Sequence, residues 1–373
     1  MTLVMDRRTS SALNAPIHGW IMVTVSDVAK KAGVSTSTVS RVLSQRGYAS
    51  SETRDAVSAA VRELGYVPNA IARGLKTQKS GFIAFIMPVV IDTFFFTTLA
   101  RGVEEVANQN KFHILLGNNN EDQEKERQYV ELMVANAVEG IIMTPSADYS
   151  RKTYKLLEER RIPTVLVDRT VTGFQADRVR SDDAGGAKLL VDHLIDFGHR
   201  QIAFVNGNRD TSVAVDRAEG FRRAMAAAGL HVDDRLMSWG PWFIEDAERR
   251  VDALIASGHR FTAIVAANLY MAIGARRALR KARISIPEDV SLVSFNDHDV
   301  AAELSPFLTA LSQPIYSMGR IAMGLLLDRI NGAYSGESRD VILSPSLVVR
   351  HSSGPAAVQE PRSYAGVGPS LMS

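Results

Sequence analysis

The 373-residue chain contains no cysteine, which excludes disulfides and every thiolate-based catalytic or metal site. No stretch approaches the roughly eighteen consecutive apolar residues that a membrane helix requires. Three common catalytic signatures are missing as well: the Gly-x-x-x-x-Gly-Lys-Ser/Thr phosphate loop, the His-Glu-x-x-His zinc helix and the Gly-x-Ser-x-Gly elbow. His193, His199, His259 and His298 are scattered rather than clustered. These absences argue against an enzyme and call for no cofactor and no metal. The first 21 residues carry Arg7 and Arg8 but no sustained apolar core, so they do not read as a secretory signal. Residues 1–22 are expected to be disordered, with Met22 an alternative start. A cytoplasmic protein is expected.

What is present begins at TVSDVAKKAGVSTSTVSRVL (Thr24–Leu43), which reads as two short helices joined by a tight turn. Ser26 is the expected N-cap of the first, whose apolar face is Val28, Ala29 and Ala32. Gly33 closes the turn, and Ser35 caps a second helix that carries Val39, Val42 and Leu43 inward. Its outward face is Thr36, Ser37, Ser40 and Arg41, the short polar groups and guanidinium that a helix needs to reach base edges in a major groove. An ordinary helical hairpin with a polar outer face has the same spacing. In the next stretch Ser50 or Ser51 caps a third helix, with Val57, Ala60, Val61 and Leu64 inward and Gly65 at its end. Residues 22–80 hold nine Lys and Arg against four acids (Asp27, Glu52, Asp55, Glu63), an excess of five positive charges in a chain whose net charge is only +2. Basic charge concentrated in a small helical unit is the footprint of a phosphate-binding module.

These residues, with ETRDAVSAAVRELGYVPNAIARGLKT after them, resemble the DNA-binding headpiece of the LacI/GalR family of bacterial transcription regulators, and the resemblance extends to about residue 352. It implies double-stranded operator DNA as a partner, and so a nucleoid-associated protein, with Thr36, Ser37 and Arg41 on base edges. Ser26, Ser35 and Thr38 would position phosphates. Residues 69–80 resemble the family's hinge helix, whose implied contacts here are Asn69, Ala72, Leu75 and Lys76. Leu75 falls where the family inserts a leucine into the minor groove. Gly74 lowers helix propensity by about 1 kcal/mol, which suits a segment that becomes helical only on DNA.

From Phe82 onward, short apolar runs (FIAFIMPVV, EGIIMTP, PTVLVDR, QIAFVNG, AIVAAN, VSLVSFN) alternate with amphipathic stretches, the pattern of parallel sheets covered on both faces. The fold class expected is a small all-α helix-turn-helix headpiece (23–68) and a two-lobed α/β domain (81–352) resembling periplasmic binding proteins, with two doubly wound parallel sheets. By that analogy one lobe holds about 81–180 with 312–343 and the other about 181–311 with 344–352. Ligands of open α/β sheets sit beyond the carboxyl ends of the strands, here the cleft between lobes. The resemblance implies a sugar-like effector there, with Arg217 as polar anchor and Trp242 as stacking face. Asp92, Thr93, Phe95, Phe96, Asn268 and Asn296 are further contacts, and Asp168 and Asp183 are second-tier candidates. His199 in FGHRQIAF looks like a structural turn residue.

Three positions depart from the family: Leu269 follows Asn268 where an acid is usual, Asn296 replaces an acid, and Phe94 stands where proline is common. A transport binding protein shares the two-lobed fold, but the headpiece argues against it. Residues 353–373 are rich in Gly, Pro and Ser with no heptad, so a disordered tail and a homodimer are expected, with the lobe containing Ile321–Ile330 contributing to the interface. Replacing Leu75 with Ala is expected to weaken DNA binding about tenfold or more, while ligand affinity, measured by calorimetry, stays unchanged.

Overall fold

The computed structural model describes residues 23–44, 48–66, 80–88, 94–297 and 307–357, and it divides into two compact units at Thr77/Gln78. The first unit is three helices: α1 (Val25–Ala32), α2 (Thr36–Ser44) and α3 (Ser51–Leu64). The sequence placed the first N-cap at Ser26. Thr24 takes that role instead, because its side chain accepts from the Asp27 N–H while the Asp27 carboxylate accepts from the Thr24 N–H at 2.8 Å. This reciprocal capping box starts the helix at Val25 and leaves Ser26 exposed in its first turn. Gly33 then turns the chain at φ 67°, a left-handed conformation a side chain would strain. Val28, Ala29, Val39, Val57 and Ala60 form the buried centre, with Val42, Leu43, Val61 and Leu64 half-buried around it.

The second unit contains two six-stranded sheets. Five strands of the first are β1 (Phe82–Met87), β2 (His113–Asn118), β3 (Ile141–Met143), β4 (Thr164–Val167) and β5 (Asp177–Ser181). The sixth, β11 (Asp340–Leu343), arrives late in the chain, giving the order β11-β5-β4-β3-β1-β2, all parallel. The second sheet holds β6 (Ile202–Asn206), β7 (Met237–Trp239), β8 (Ala263–Ala266), β9 (Ser291–Phe295), β10 (Thr309–Ser312) and β12 (Ser346–Val348). Its order is β12-β10-β9-β8-β6-β7, with only β12 antiparallel.

Period-two alternation explains why the strands read as unbroken apolar runs. On β1, Ile83, Phe85 and Met87 face the helices α4 (Phe94–Gln109) and α11 (Ile315–Ile330). Ala84 and Ile86 face the opposite layer, where α5 (Gln123–Ala135) and α6 (Arg151–Glu159) supply Val130, Met133, Tyr154 and Leu157. In the second lobe α7 (Asp183–Asp196), α8 (Ser212–Ala227), α9 (Ile244–Ala256) and α10 (Leu269–Lys281) cover their sheet in the same way around one continuous core. The chain therefore passes between sheets three times, after β5, after β10 and after β11.

Long-range polar contacts hold the late segments in place. Asp177 is fully buried and accepts from both Arg329 and Arg339, tying β5 to the end of α11 and to the approach to β11. Burial alone would raise its carboxyl, yet the two guanidiniums hold it below the usual aspartate range. Residues 353–357, expected in a disordered tail, are instead described and ordered. Ser352 takes the Thr309 N–H at 2.7 Å, and the Ser353 hydroxyl meets His193 and Thr309, each at 2.8 Å. The Gly354 carbonyl lies 3.0 Å from Nε2 of His199, a buried imidazole whose Nδ1 meets Thr262. The polar composition suggested disorder because it could not show that buried partners wait for those groups. Truncation after residue 357 is expected to leave the thermal midpoint unchanged. Truncation after Arg350 should lower stability by several kcal/mol, since it orphans Thr309, His193, His199 and Ser291 inside the second lobe, at about 1–3 kcal/mol each.

Candidate functional site

Two surfaces carry the chemistry, one in each unit. In the helical unit Thr36, Ser37, Ser40 and Arg41 are all exposed on α2, while Val39 is fully buried beneath them. The Ser35 hydroxyl lies 2.8 Å from that of Ser37 and 2.9 Å from that of Thr38, and accepts from the Thr38 N–H at 3.2 Å. Ser35 thus shapes the start of α2, and Thr38 is half-buried beside it. Tyr48 was not singled out from the sequence. At 86% exposure it is a large aromatic held in water just past α2, with a phenol able to reach a phosphate. Its neighbourhood of Ser, Gly and Ala gave no periodic signal. Asn69, Ala72, Leu75, Lys76, Asp92 and Thr93 lie outside the described residues.

The second surface is a cavity of about 560 Å³ between the two sheets of the α/β unit. It gathers Phe95, Phe96, Asp168, Arg217, Trp242, Asn268 and Asn296 from distant points in the chain, and adds Glu121 and Arg169, which the sequence reading missed. Asp183 does not line it. Strand ends explain the convergence: Asp168 follows β4, Trp242 follows β7, Asn268 follows β8 and Asn296 follows β9. Asp168 and Asn296 both sit in the left-handed region, at φ 68° and 64°. That is uncommon for residues other than glycine and tolerated best by Asp and Asn. Phe96 belongs to the first lobe's core, whereas Phe94 and Phe95 are half-buried at the cavity.

Arg217 forms part of the second lobe's wall at 3% exposure. Its Nε donates to Asp183 at 2.7 Å, one Nη donates to the Ala267 carbonyl, and the guanidinium lies 4.0 Å from the Phe295 ring centroid. Burial pushes the Asp183 carboxyl up to about 6, against the pull of Arg217. On the first lobe, buried Arg169 grips both Glu121 oxygens, at 2.8 and 2.7 Å, and reaches the Pro145 carbonyl at 3.0 Å. Trp242 has both guanidiniums 6.0 Å from its ring centroid, and its indole N–H is buried with no hydrogen-bond partner among the described residues. Its ring needs Gly207: a Cβ there would stand 2.0 Å from it. Asn268 spends its side-chain oxygen on capping α10, accepting from the Met271 N–H at 2.7 Å, and Asn296 donates to Gln313. Asp168 is half-buried, and burial raises its carboxyl although Arg169 and Arg217 draw it back down.

The Arg217–Asp183 pair makes a stability prediction separable from ligand binding. Arg217→Met should cost about 3–5 kcal/mol, because it leaves a buried carboxylate unpaired. The double variant with Asp183→Asn should recover most of that loss. Because the folded-state pKa of Asp183 lies above its usual value of 3.8, its ionisation opposes folding, and that cost appears as pH rises from about 4 through about 6. The deficit of Arg217→Met should accordingly be smallest below about pH 6, where the buried carboxyl is protonated with or without its partner, and grow as pH rises above that in denaturant titrations.

Comparison with known proteins agrees with both surfaces. Residues 24–69 match the family described as bacterial regulatory proteins, lacI family, and residues 191–353 match a periplasmic binding protein-like domain. The HTH-type transcriptional regulator GalR of Escherichia coli K12 is 35% identical over 335 residues, covering 89% of this chain and 96% of that protein. The ribose operon repressor of Halalkalibacterium halodurans is 36% identical over 309 residues, covering 83% and 91%. Among solved structures, the lac repressor dimer bound to operator and the anti-inducer ONPF superposes with a TM-score of 0.76 at 25% identity, covering 89% of this chain and 99% of that one. A capped helical triad presenting a polar α2 face, a two-lobed domain with a lined cleft and full-length relatives of this kind together place the chain in the lacI family of bacterial regulatory proteins, as a DNA-binding transcriptional regulator and not an enzyme.

Proposed function

We propose that the chain is a repressor that binds a palindromic operator as a homodimer and releases it when a sugar-like inducer occupies the cleft. The observation that carries the reading is the outward face of α2, where Thr36, Ser37, Ser40 and Arg41 stand exposed over a buried Val39. On this reading Arg41 makes a bidentate contact to guanine and Thr36 and Ser37 meet neighbouring base edges. Ser26 and Tyr48 touch phosphates, and Ser35 and Thr38 hold the helix start that aims them. Asn69, Ala72, Leu75 and Lys76 form the hinge contact in the minor groove.

The cleft supplies the regulatory half. Arg217, Asp168, Asn268 and Asn296 offer donors and acceptors for hydroxyls, Trp242 a stacking face, and Asp92 and Thr93 complete the set. One relative is named a ribose operon repressor, and a structural neighbour was solved as a dimer on operator, which supports both the effector class and the assembly. Leu116 and Leu132, exposed by 54% and 53% on the lobe that also holds α11, are apolar surface for a second copy. A DNA-binding regulator of this kind acts at the chromosome in the cytoplasm.

Selection of bound duplexes from a random DNA library by the full chain tests the reading. A two-fold symmetric consensus is expected, and a site without symmetry would overturn the dimer. Arg41→Ala should relax preference at one base pair per half-site, costing about 1–3 kcal/mol each. Release of the selected site by a cleft ligand identifies an inducer; tightening would make that ligand a corepressor.

A further inference from the structure

Glu126 is a fully buried carboxylate that lies outside the cavity lining, and neither of the two surfaces described above uses it. It stands in the first turn of α5 and accepts three hydrogen bonds: from the Asn119 amide at 3.0 Å, the Ser146 N–H at 2.6 Å and the Tyr154 hydroxyl at 2.9 Å. Burial raises its carboxyl, while those donors and the nearby Arg169 charge draw it down. The donors come from three separate places, the loop after β2, the loop after β3 and α6. One side chain therefore ties together the two loops on which Glu121 depends.

Glu121 is held from both of those loops. The Asn119 side chain that donates to Glu126 also accepts from the Glu121 N–H at 3.1 Å, and the amide after Ser146, that of Ala147, donates to the Glu121 carboxylate at 3.0 Å. Asn120 and Glu121 are consecutive left-handed residues, at φ 52° and 58°, a backbone that persists only where its surroundings impose it. Glu121 in turn fixes Arg169, the middle of a strip that the first lobe lays on the second. Asp168 lines the cavity, the Arg169 guanidinium lies 6.0 Å from the Trp242 ring centroid, and the Thr170 N–H donates to the Ser212 hydroxyl of α8 at 3.0 Å. A separate contact joins the lobes at the end of β5, where Arg180 lies 3.8 Å from Asp216.

We infer that Glu126 is a positioning residue for the contact between the lobes: through Asn119 and the Ser146–Ala147 backbone it aims Glu121, and through Glu121 it holds Arg169 and Thr170 against the second lobe. One oxygen, Oε2, takes both Asn119 and Ser146, and the other takes Tyr154. The tie that matters is therefore geometric. A glutamine can keep its carbonyl oxygen on Asn119 and Ser146 and turn its N–H to the Tyr154 hydroxyl, which accepts as readily as it donates. An apolar side chain of the same length leaves all three donors buried without an acceptor and lets the two loops part. The inference holds whatever occupies the cleft, since the contact is set from a residue outside the cavity.

Residue-resolved amide hydrogen exchange on the full chain, with no ligand added, reads the contact at the Thr170 N–H and general stability at the amides of β1. Glu126→Met is expected to speed exchange at Thr170 about tenfold relative to β1. Asn119→Ala, which cuts one tie between the two glutamates and touches neither, should do the same to a lesser degree. Glu126→Gln should stay within about threefold of the unaltered chain. In an Arg169→Met background, where the strip has already lost its anchor, neither Glu126→Met nor Asn119→Ala should add to the rate at Thr170. Protection at Thr170 that survives both substitutions overturns the inference. So does a rise shared equally with β1, which would make Glu126 a general support of the first lobe, or an undiminished increment in the Arg169→Met background. If Glu126→Met does not fold, Asn119→Ala decides by the same criteria.

Discussion

A guanidinium at 3% exposure must be neutralised where it stands, and Arg217 is, by a carboxylate from α7, a carbonyl beyond β8 and the face of Phe295. That one arrangement joins α7, α8 and two strand ends into a rigid wall before any ligand arrives. Arg169 and Glu121 build a matching wall on the other lobe. The indole of Trp242 lies 6.0 Å from each of the two guanidiniums, against the bare backbone of Gly207. Preorganisation of this kind lowers the ordering cost of binding and leaves relative movement of the lobes as the main response to a ligand.

Much of this was legible in the sequence because the signals are local. Caps, turn glycines and helical spacing act over three to seven residues, so the three helices of the first unit could be read almost as they stand, apart from the shift of the first cap from Ser26 to Thr24. Buried strands announce themselves as apolar runs. Arg217, Trp242, Asn268, Asn296 and Asp168 could be named from resemblance, and they do share one cavity. What escaped depends on contacts between distant residues. Glu121 and Arg169 are 48 positions apart, His199 and Gly354 are 155 apart, and no pattern marks either pair. Nor does residue type reveal a positive φ at Asp168 or Asn296, since their side-chain aim is set by the strands that precede them.

Asn296 also shows how the cleft connects to the chain's crossings. Its amide donates to Gln313, which lies between β10 and α11, where the chain passes from one sheet to the other. Gln313 is 7% exposed and its own amide nitrogen is buried without a partner among the described residues. On the proposed reading of the cleft, a ligand hydroxyl at Asn296 would compete directly with a bond to that crossing. The cavity lining and the path between lobes thus share a side chain, which under the proposed function would give occupancy of the cleft a route to the geometry of the domain.

The threefold passage between sheets has a consequence for synthesis on the ribosome. The first lobe begins at residue 82 but its core lacks α11 until residue 330 and its edge lacks β11 until residue 343; the second waits for β12 and the buried serines at 352 and 353. The first lobe cannot close before residue 343 has emerged from the exit tunnel, nor the second before residue 353, so both expose apolar strands until those segments appear. A protein assembled this way is vulnerable to aggregation or degradation for most of its birth. Termination before residue 340 costs both lobes at once, while the capped helical triad, complete by residue 65, has its core in place from the start.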